Sequence, residues 1–201
     1  MWAFIEKGGP LMYPILLGLL VGLAIIIEKA FNLRASRIVD KKLFLDVKGR
    51  LSDKDFELAI GRVRTGATPA VSELLEEAIQ NRNLPEKELR ELIETSGKRA
   101  VRRLERYLPT LSTIISIEPL LGLLGTVTGM IKVFKVISTQ GIGRAELLAG
   151  GISEALITTA AGLSIAIPFL IFYNMYSERA ESISMELEKE VLSIFKRLKT
   201  S

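Results

Sequence analysis

Three apolar runs of near-spanning length, an intervening segment whose apolar residues recur at helical spacing, and the lack of any strand-period stretch predict an all-α membrane protein. The expected layout is three transmembrane helices, a helical cytoplasmic insert between the first and second, and a cytoplasmic C-terminal helix. Hydrophobic residues make up 48% of the 201 and the mean hydropathy is positive, which suits a membrane protein with a soluble insert. The runs cover 10–27, 108–131 and 152–175. Even the shortest, about 27 Å at 1.5 Å per residue, is sufficient to cross hydrocarbon.

The first run is followed by Lys29, Arg34 and Arg37, whereas Lys7 is the only basic residue before it. A cleaved signal peptide carries its charge on the other side and ends in a small-x-small site, so this run reads as an uncleaved signal-anchor. Of the 27 Lys and Arg, 1 precedes the first run, 18 lie between Lys29 and Arg106, 3 between Lys132 and Arg144, and 5 from Arg179 onward. The positive-inside rule then places the N-terminus outside, the insert in the cytoplasm, the second connection outside and the tail in the cytoplasm. The expected segments are 1–31 for the N-terminal stretch and first span, 32–107 for the insert, and 108–136 for the second span. A short periplasmic loop over 137–151, a third span over 152–176 and a C-terminal helix over 177–201 complete the chain.

Within the insert, Ser52-Asp53-Lys54-Asp55 offers a cap before an apolar face at Phe56, Ala59, Ile60 and Val63, and Gly66 would end that helix. Thr68-Pro69 repeats the start signal, with proline in the first turn, ahead of Val71, Leu74, Leu75, Ala78 and Ile79. Asn81 to Asn83 interrupts the pattern. Pro85 opens a third helix with Leu89, Leu92, Ile93, Ala100, Val101 and Leu104, which runs towards the second span without a strong stop before Pro109. These faces need partners, either one another or neighbouring subunits. Gly141, Gly143, Gly150 and Gly151 mark the outside loop, so the second and third spans should form a tight antiparallel hairpin. In the tail, Ile183, Leu187, Val191, Leu192, Ile194, Phe195 and Leu198 stand among charges, as in a helix that continues past the membrane.

The net charge of +4 is mainly a topological signal, because the insert balances its bases with 14 acids between Glu28 and Glu105. A nucleic-acid binder would segregate its charge, and no such partner is expected. With neither cysteine nor histidine, the chain has no disulfides, thiol catalysis or histidine proton relay, and most zinc sites are excluded. No nucleophile and base pair, metal cluster or phosphate loop stands out, so neither an enzyme nor a cofactor is expected. The glycines from Gly122 to Gly129 lie in a membrane helix and lack the strand that a phosphate loop follows.

The second span reads Glu118-Pro-Leu-Leu-Gly-Leu-Leu-Gly-Thr-Val-Thr-Gly129. Gly122, Gly125, Thr126 and Gly129 fall three and four apart on one small, partly polar face, the pattern of a helix packing seam. Thr126 admits two readings, a hydroxyl bonded to its own backbone one turn back or a hydroxyl lining a narrow wet path. In the third span Glu154 and Thr158 are one turn apart, with Ala161, Gly162 and Ile165 continuing the stripe and Thr159 on an adjacent face. An acid near the bilayer centre costs on the order of 2.5–3.5 kcal/mol even on lenient insertion scales, so something other than lipid must face Glu154. It either reaches the interface, pairs with Lys132 or Lys135, or lines an ion path. Pro168 loosens the backbone ladder and permits a kink. Glu118, about 12 Å from Thr126 along the helix, is either at a pore mouth or in a structural bond beside Pro119.

Pro119 to Met130 and Gly151 to Pro168 closely resemble the MotA/TolQ/ExbB proton-channel family, on its ExbB/TolQ side. Ile27-Glu28-Lys29 resembles the acidic-basic pair that follows the first span there, and the resemblance covers the whole layout. It implies a subunit of an inner-membrane proton-driven motor, in which a homopentamer surrounds two transmembrane helices of an ExbD- or TolR-like single-span partner. Force would pass through that partner, and a TonB- or TolA-like protein beyond it, to work at the outer membrane such as TonB-dependent import. A Tol-Pal role in the envelope and cell division is the alternative within the family, and an oligomeric scaffold without ion conduction the alternative outside it. The resemblance also implies a multi-pass bacterial inner-membrane location among lipid, H⁺ as coupling ion, and Thr126, Thr159 and Glu154 as pathway residues, with Thr158 beside them. Gly122, Gly125, Gly129, Gly162 and Pro168 would shape the packing. Glu118 departs from the family's usual small residue at its position.

Overall fold

The computed structural model describes residues 7–33, 38, 40–141 and 145–200, with side chains as far as 198. The described residues form helices α1 (Met12–Asn32), α2 (Lys41–Ser52), α3 (Phe56–Gly66), α4 (Pro69–Gln80), α5 (Glu86–Leu104), α6 (Leu108–Gln140) and α7 (Ala145–Thr200). No strand occurs among them. Three of these, α1, α6 and α7, are long and apolar enough to cross a membrane.

The chain divides into two compact units, the first formed by 1–28 and 107–175, the second by 29–106 and 176–201. In the first unit α6 and α7 run antiparallel, since Gly129, Gly125 and Gly122 meet α7 at Gly151 and Ala155, at Thr158, and at Thr159 in turn. α1 joins them through Gly18, which faces Glu118, and Gly22, which faces the Phe169 ring. Much of the remaining surface is apolar and open, including Leu17, Leu20, Leu120, Ile131, Phe134, Leu156 and Ile171. Water would not tolerate such an extent of exposed apolar side chain on a soluble domain.

The second unit follows the rules of a water-soluble helical domain. Successive helices α2 to α5 pack on one another, and Phe44, Leu51, Leu75, Ile79, Leu89, Leu187 and Ile194 are fully buried. The C-terminal part of α7 lies alongside α2, running in the same direction: Lys41 pairs with Glu186 at 3.2 Å, Lys48 with Glu190 at 2.5 Å, and Arg197 with Ser52. Asp40 caps α2 by accepting from the Lys42 amide at 2.9 Å. A cavity of about 540 Å³ remains between α5 and the tail of α7, lined by Ile93, Val101, Leu187, Val191 and Phe195 among others. The apolar faces of the insert therefore find their partners largely in each other.

The cap before Phe56 falls within the expected stretch over 52–55, at Asp55, which takes the N-cap position of α3 without a side-chain cap bond, while Ser52 closes α2. Two local features differ from the sequence expectation. The run into the second span is broken, because α5 ends at Leu104 and α6 starts at Leu108, with Tyr107 between them at φ 72°. Pro109 explains the break: it has no N–H for the Glu105 carbonyl and its ring would strike that carbonyl in a continuous helix. The buried Lys29 ammonium donates to the Leu104 carbonyl at 2.9 Å, satisfying one of the last carbonyls of α5. The second difference is the outside loop. α6 persists to Gln140, Gly141 terminates it at φ 73°, and α7 begins at Ala145, so Gly150 and Gly151 are helical. Gly143 lies outside the described residues. A Cβ on Gly151 would stand 2.7 Å from Val133 Cγ2, so this glycine serves close packing, not chain reversal.

Candidate functional site

The site begins with what glycine permits between α6 and α7. A Cβ on Gly122 would lie 3.0 Å from Thr159 Cα and 3.1 Å from the Thr158 carbonyl oxygen; one on Gly129 would lie 2.7 Å from the Gly151 carbonyl oxygen and 2.8 Å from Ala155 Cβ. At Gly125 it would overlap Thr158 Oγ1, and at Gly162 it would overlap the carbonyl oxygen of Glu118. Backbone thus approaches backbone, as expected where lipid supplies no hydrophobic drive between helices. α6 runs helically through Pro119 and α7 through Pro168.

Seated in this seam, the hydroxyls divide by what they bond. Thr126 Oγ1 donates to the Leu123 carbonyl at 2.7 Å, within its own helix. Thr158, 1% exposed, also turns back, its Oγ1 lying 3.0 Å from the Glu154 carbonyl oxygen and 2.9 Å from that of Ala155. Thr159 is different. Its Oγ1 lies 2.9 Å from the Gly122 carbonyl oxygen on the facing helix, closer than the 3.2 Å to Ala155 on its own. The residue as a whole is half-buried, and its hydroxyl ties the two helices. No described contact brings Thr126 to Thr159.

The two acids occupy different surroundings. Glu154 receives the Lys132 ammonium at 2.5 and 2.7 Å, with Gly9 packed against its Oε1. Lys132 remains 52% exposed at its side chain against 18% for Glu154, so the cation is held at the rim and the acid inward. Glu118 is 1% exposed and lies between Gly18 of α1 and Gly162 of α7, and its Oε2 has no hydrogen-bond partner among the described residues. In seam order, Glu118 stands at the level of Gly162, Thr159 at that of Gly122, and Thr158 at that of Gly125.

Sequence reasoning passed over Gly18 and Gly22, although they form a Gly-x-x-x-Gly pattern within an apolar run, the recognised signal for close helix approach. Lys29 stood out as a flanking positive charge and as half of an acidic-basic pair; its placement on the Leu104 carbonyl required the fold.

Residues 67–189 match the family model described as the MotA/TolQ/ExbB proton channel family. The chain is similar to putative biopolymer transport protein ExbB-like 3 of Synechocystis sp., 32% identical over 171 residues, covering 84% of this chain and 81% of that protein. It is 28% identical over 211 aligned residues to biopolymer transport protein ExbB of Neisseria meningitidis serogroup B, covering 96% and 94%. Over a shorter stretch of 88 residues it is 40% identical to Tol-Pal system protein TolQ of Haemophilus influenzae, covering 44% and 39%. The matched region takes in the α6/α7 seam with its threonines and both acids. With three helices able to span a bilayer and a family match across most of the chain, this multi-pass membrane protein belongs to the MotA/TolQ/ExbB proton channel family, close to its ExbB and TolQ members.

Proposed function

We propose that this chain is an inner-membrane motor subunit that couples the proton motive force, together with an ExbD/TolR-like single-span partner, to work at the outer membrane. The observation that carries this reading is Thr159, a half-buried residue whose hydroxyl bridges to the Gly122 carbonyl across the seam. A hydroxyl so placed can hand a hydrogen bond to a passing acid of a partner helix and return it to the facing carbonyl. Glu154 and Thr126 extend the path along α7 and α6, and Thr158, buried in the seam beside them, supports it by packing against Gly125. Lys132 holds Glu154 at one end until a competing group displaces it. In this reading five copies enclose two partner helices, 32–107 and the tail face the cytoplasm, and the driven system is ExbB-like import, with the TolQ-like envelope role as its alternative.

A second reading, an oligomeric scaffold without ion conduction, draws on the bonds that Thr126 and Thr158 make to their own backbone. Hydroxyls spent in this way need conduct nothing. The two readings separate in Thr159→Ala and Glu154→Gln. Each variant is expected to assemble with the partner and to lose proton-motive-force-dependent work by about a hundredfold, the lower end of what a preorganised donor or proton-handling group supplies. Full work in both variants, at wild-type assembly, rules out the motor roles of these residues and leaves the scaffold.

A further inference from the structure

Glu118 brings a carboxyl into the interior of the first unit without any evident counter-charge. A buried carboxylate is retained only when it is paired, hydrogen-bonded or bound to a cation, because no protein interior replaces the hydration it gives up. None of the three helices around it offers a basic side chain. On α6 the first is Lys132, about 21 Å further along the axis at 1.5 Å per residue, and Glu154 engages it. On α1, Lys29 is about 16 Å beyond Gly18 and donates to the Leu104 carbonyl. On α7, Arg179 is about 26 Å beyond Gly162. At 1% exposure the carboxyl is closed off by its own protomer, so no neighbouring subunit touches it.

The place is nonetheless fitted to the group. Oε1 occupies the space that a side chain at residue 18 would fill, and Gly162 lets α7 close onto the Glu118 carbonyl. Pro119 contributes separately: having no N–H, it gives no bond to the Ile115 carbonyl, so an oxygen one turn back on the same face as Glu118 lacks its helical donor. Oε2 is buried without a partner among the described residues, and the Ile115 carbonyl, one turn back on α6, is an oxygen whose helical donor Pro119 removes.

We propose that Glu118 is a binding site for one monovalent cation, H⁺ or Na⁺, held inside the protomer by its carboxylate with the Ile115 carbonyl as second oxygen. One cation matches one carboxylate. A divalent ion would leave a net charge in an apolar site. The Gly122 carbonyl that meets the Thr159 hydroxyl is one turn away, about 6 Å along α6. The cation's use rests on the motor reading, but its binding does not, and the two are measured separately.

The test uses the purified full-length protein in lipid nanodiscs. If the ion is H⁺, infrared spectra show the carbonyl stretch of a buried protonated acid that shifts in D₂O, absent from Glu118→Gln and kept by Glu118→Asp. If it is Na⁺, that band is missing and the unfolding midpoint rises with NaCl but not with choline chloride, a response lost in Glu118→Gln. Neither signal in the wild type overturns the proposal. Should Glu118→Gln fold poorly, Gly18→Ala keeps the carboxyl and fills the space beside Oε1. It is expected to shift the acid band or weaken the Na⁺ response about tenfold, as loss of a supporting contact does at ion sites; an unchanged band and response overturns the proposal. Thr159→Ala and Glu154→Gln report on the motor independently, so failure of either idea leaves the other standing.

Discussion

Glycine means opposite things in the two units. In the membrane unit, a Cβ added at Gly22, Gly129, Gly151 or Gly162 would meet a neighbouring helix at once, whereas Gly49, Gly61 and Gly97 in the polar unit face open space. Lipid gives helices no reason to associate through apolar area, so contact there comes from close backbone approach and from bonds such as Thr159 to Gly122. In the polar unit burial itself is favourable, at about 25 cal/mol per Å², and large side chains such as Phe44 and Leu75 fill the interior. Exposed ion pairs sit at its rim, as between Arg64 and Glu76 at 2.7 Å or Arg99 and Glu77 at 3.0 Å, while the Lys48–Glu190 pair lies further in. Glycine is therefore structural along the membrane seam and merely permitted at Gly49, Gly61 and Gly97, with Gly66, which meets Leu43, the exception in the polar unit.

The largest test of this contrast is Gly162→Ala. The added methyl meets the Glu118 carbonyl oxygen, a backbone atom that cannot swing aside, and the loss should be near the upper end of the about 1–3 kcal/mol seen for overpacking. Thermal unfolding in detergent measures it, and a neutral result would break the account of the seam. Gly61→Ala is the same chemical change with the opposite expected sign. It lies within α3 with nothing near it, so the gain in helix propensity should stabilise by about 0.5–1 kcal/mol. Destabilisation by this variant would mean that α3 carries a contact the single chain does not show.

The smallest effect concerns charge at the rim. The hydrogen-bonded Arg64 guanidinium holds the Glu76 carboxyl below the usual carboxylate value. A carboxyl lowered in the folded state contributes stability that is fully present above its unfolded value of about 4.3 and is lost as pH falls through the folded value. Arg64→Gln should remove this part of the acid sensitivity below about pH 4.3, visible as a shallower fall of the unfolding midpoint with pH than in the wild type. Because Arg64 is 60% exposed, salt should reduce the difference further. An effect as large as that of Gly162→Ala would overturn the ranking of the two units.

Periodicity made the helices and their inner faces readable before any coordinates. Val71, Leu74, Leu75, Ala78 and Ile79 are all buried as their spacing required, and so are Ile183, Leu187, Val191, Ile194 and Leu198 in the tail. Of the site, the seam residues of α6 and α7 were legible because small residues three and four apart leave a pattern. What stayed hidden was directional or depended on distant chain. Nothing in sequence separates the hydroxyl of Thr159, which crosses to Gly122, from that of Thr158, which turns back to Glu154 and Ala155. Nor does it choose between Lys132 and Lys135 for Glu154, a choice that depends on which face of α6 meets α7.

By itself the sequence determined the helical class, the three spanning segments, the amphipathic faces and the family, because these follow from hydrophobic length, period and short motifs. Only the tertiary structure decided that Pro109 breaks the chain at Tyr107, that Gly150 and Gly151 belong to a helix, and that Gly18 makes room for Glu118. The reason is physical. Periodicity records which side of a helix avoids water, whereas the burial of one carboxyl and the crossing of one hydroxyl are set by how closely two other helices approach it.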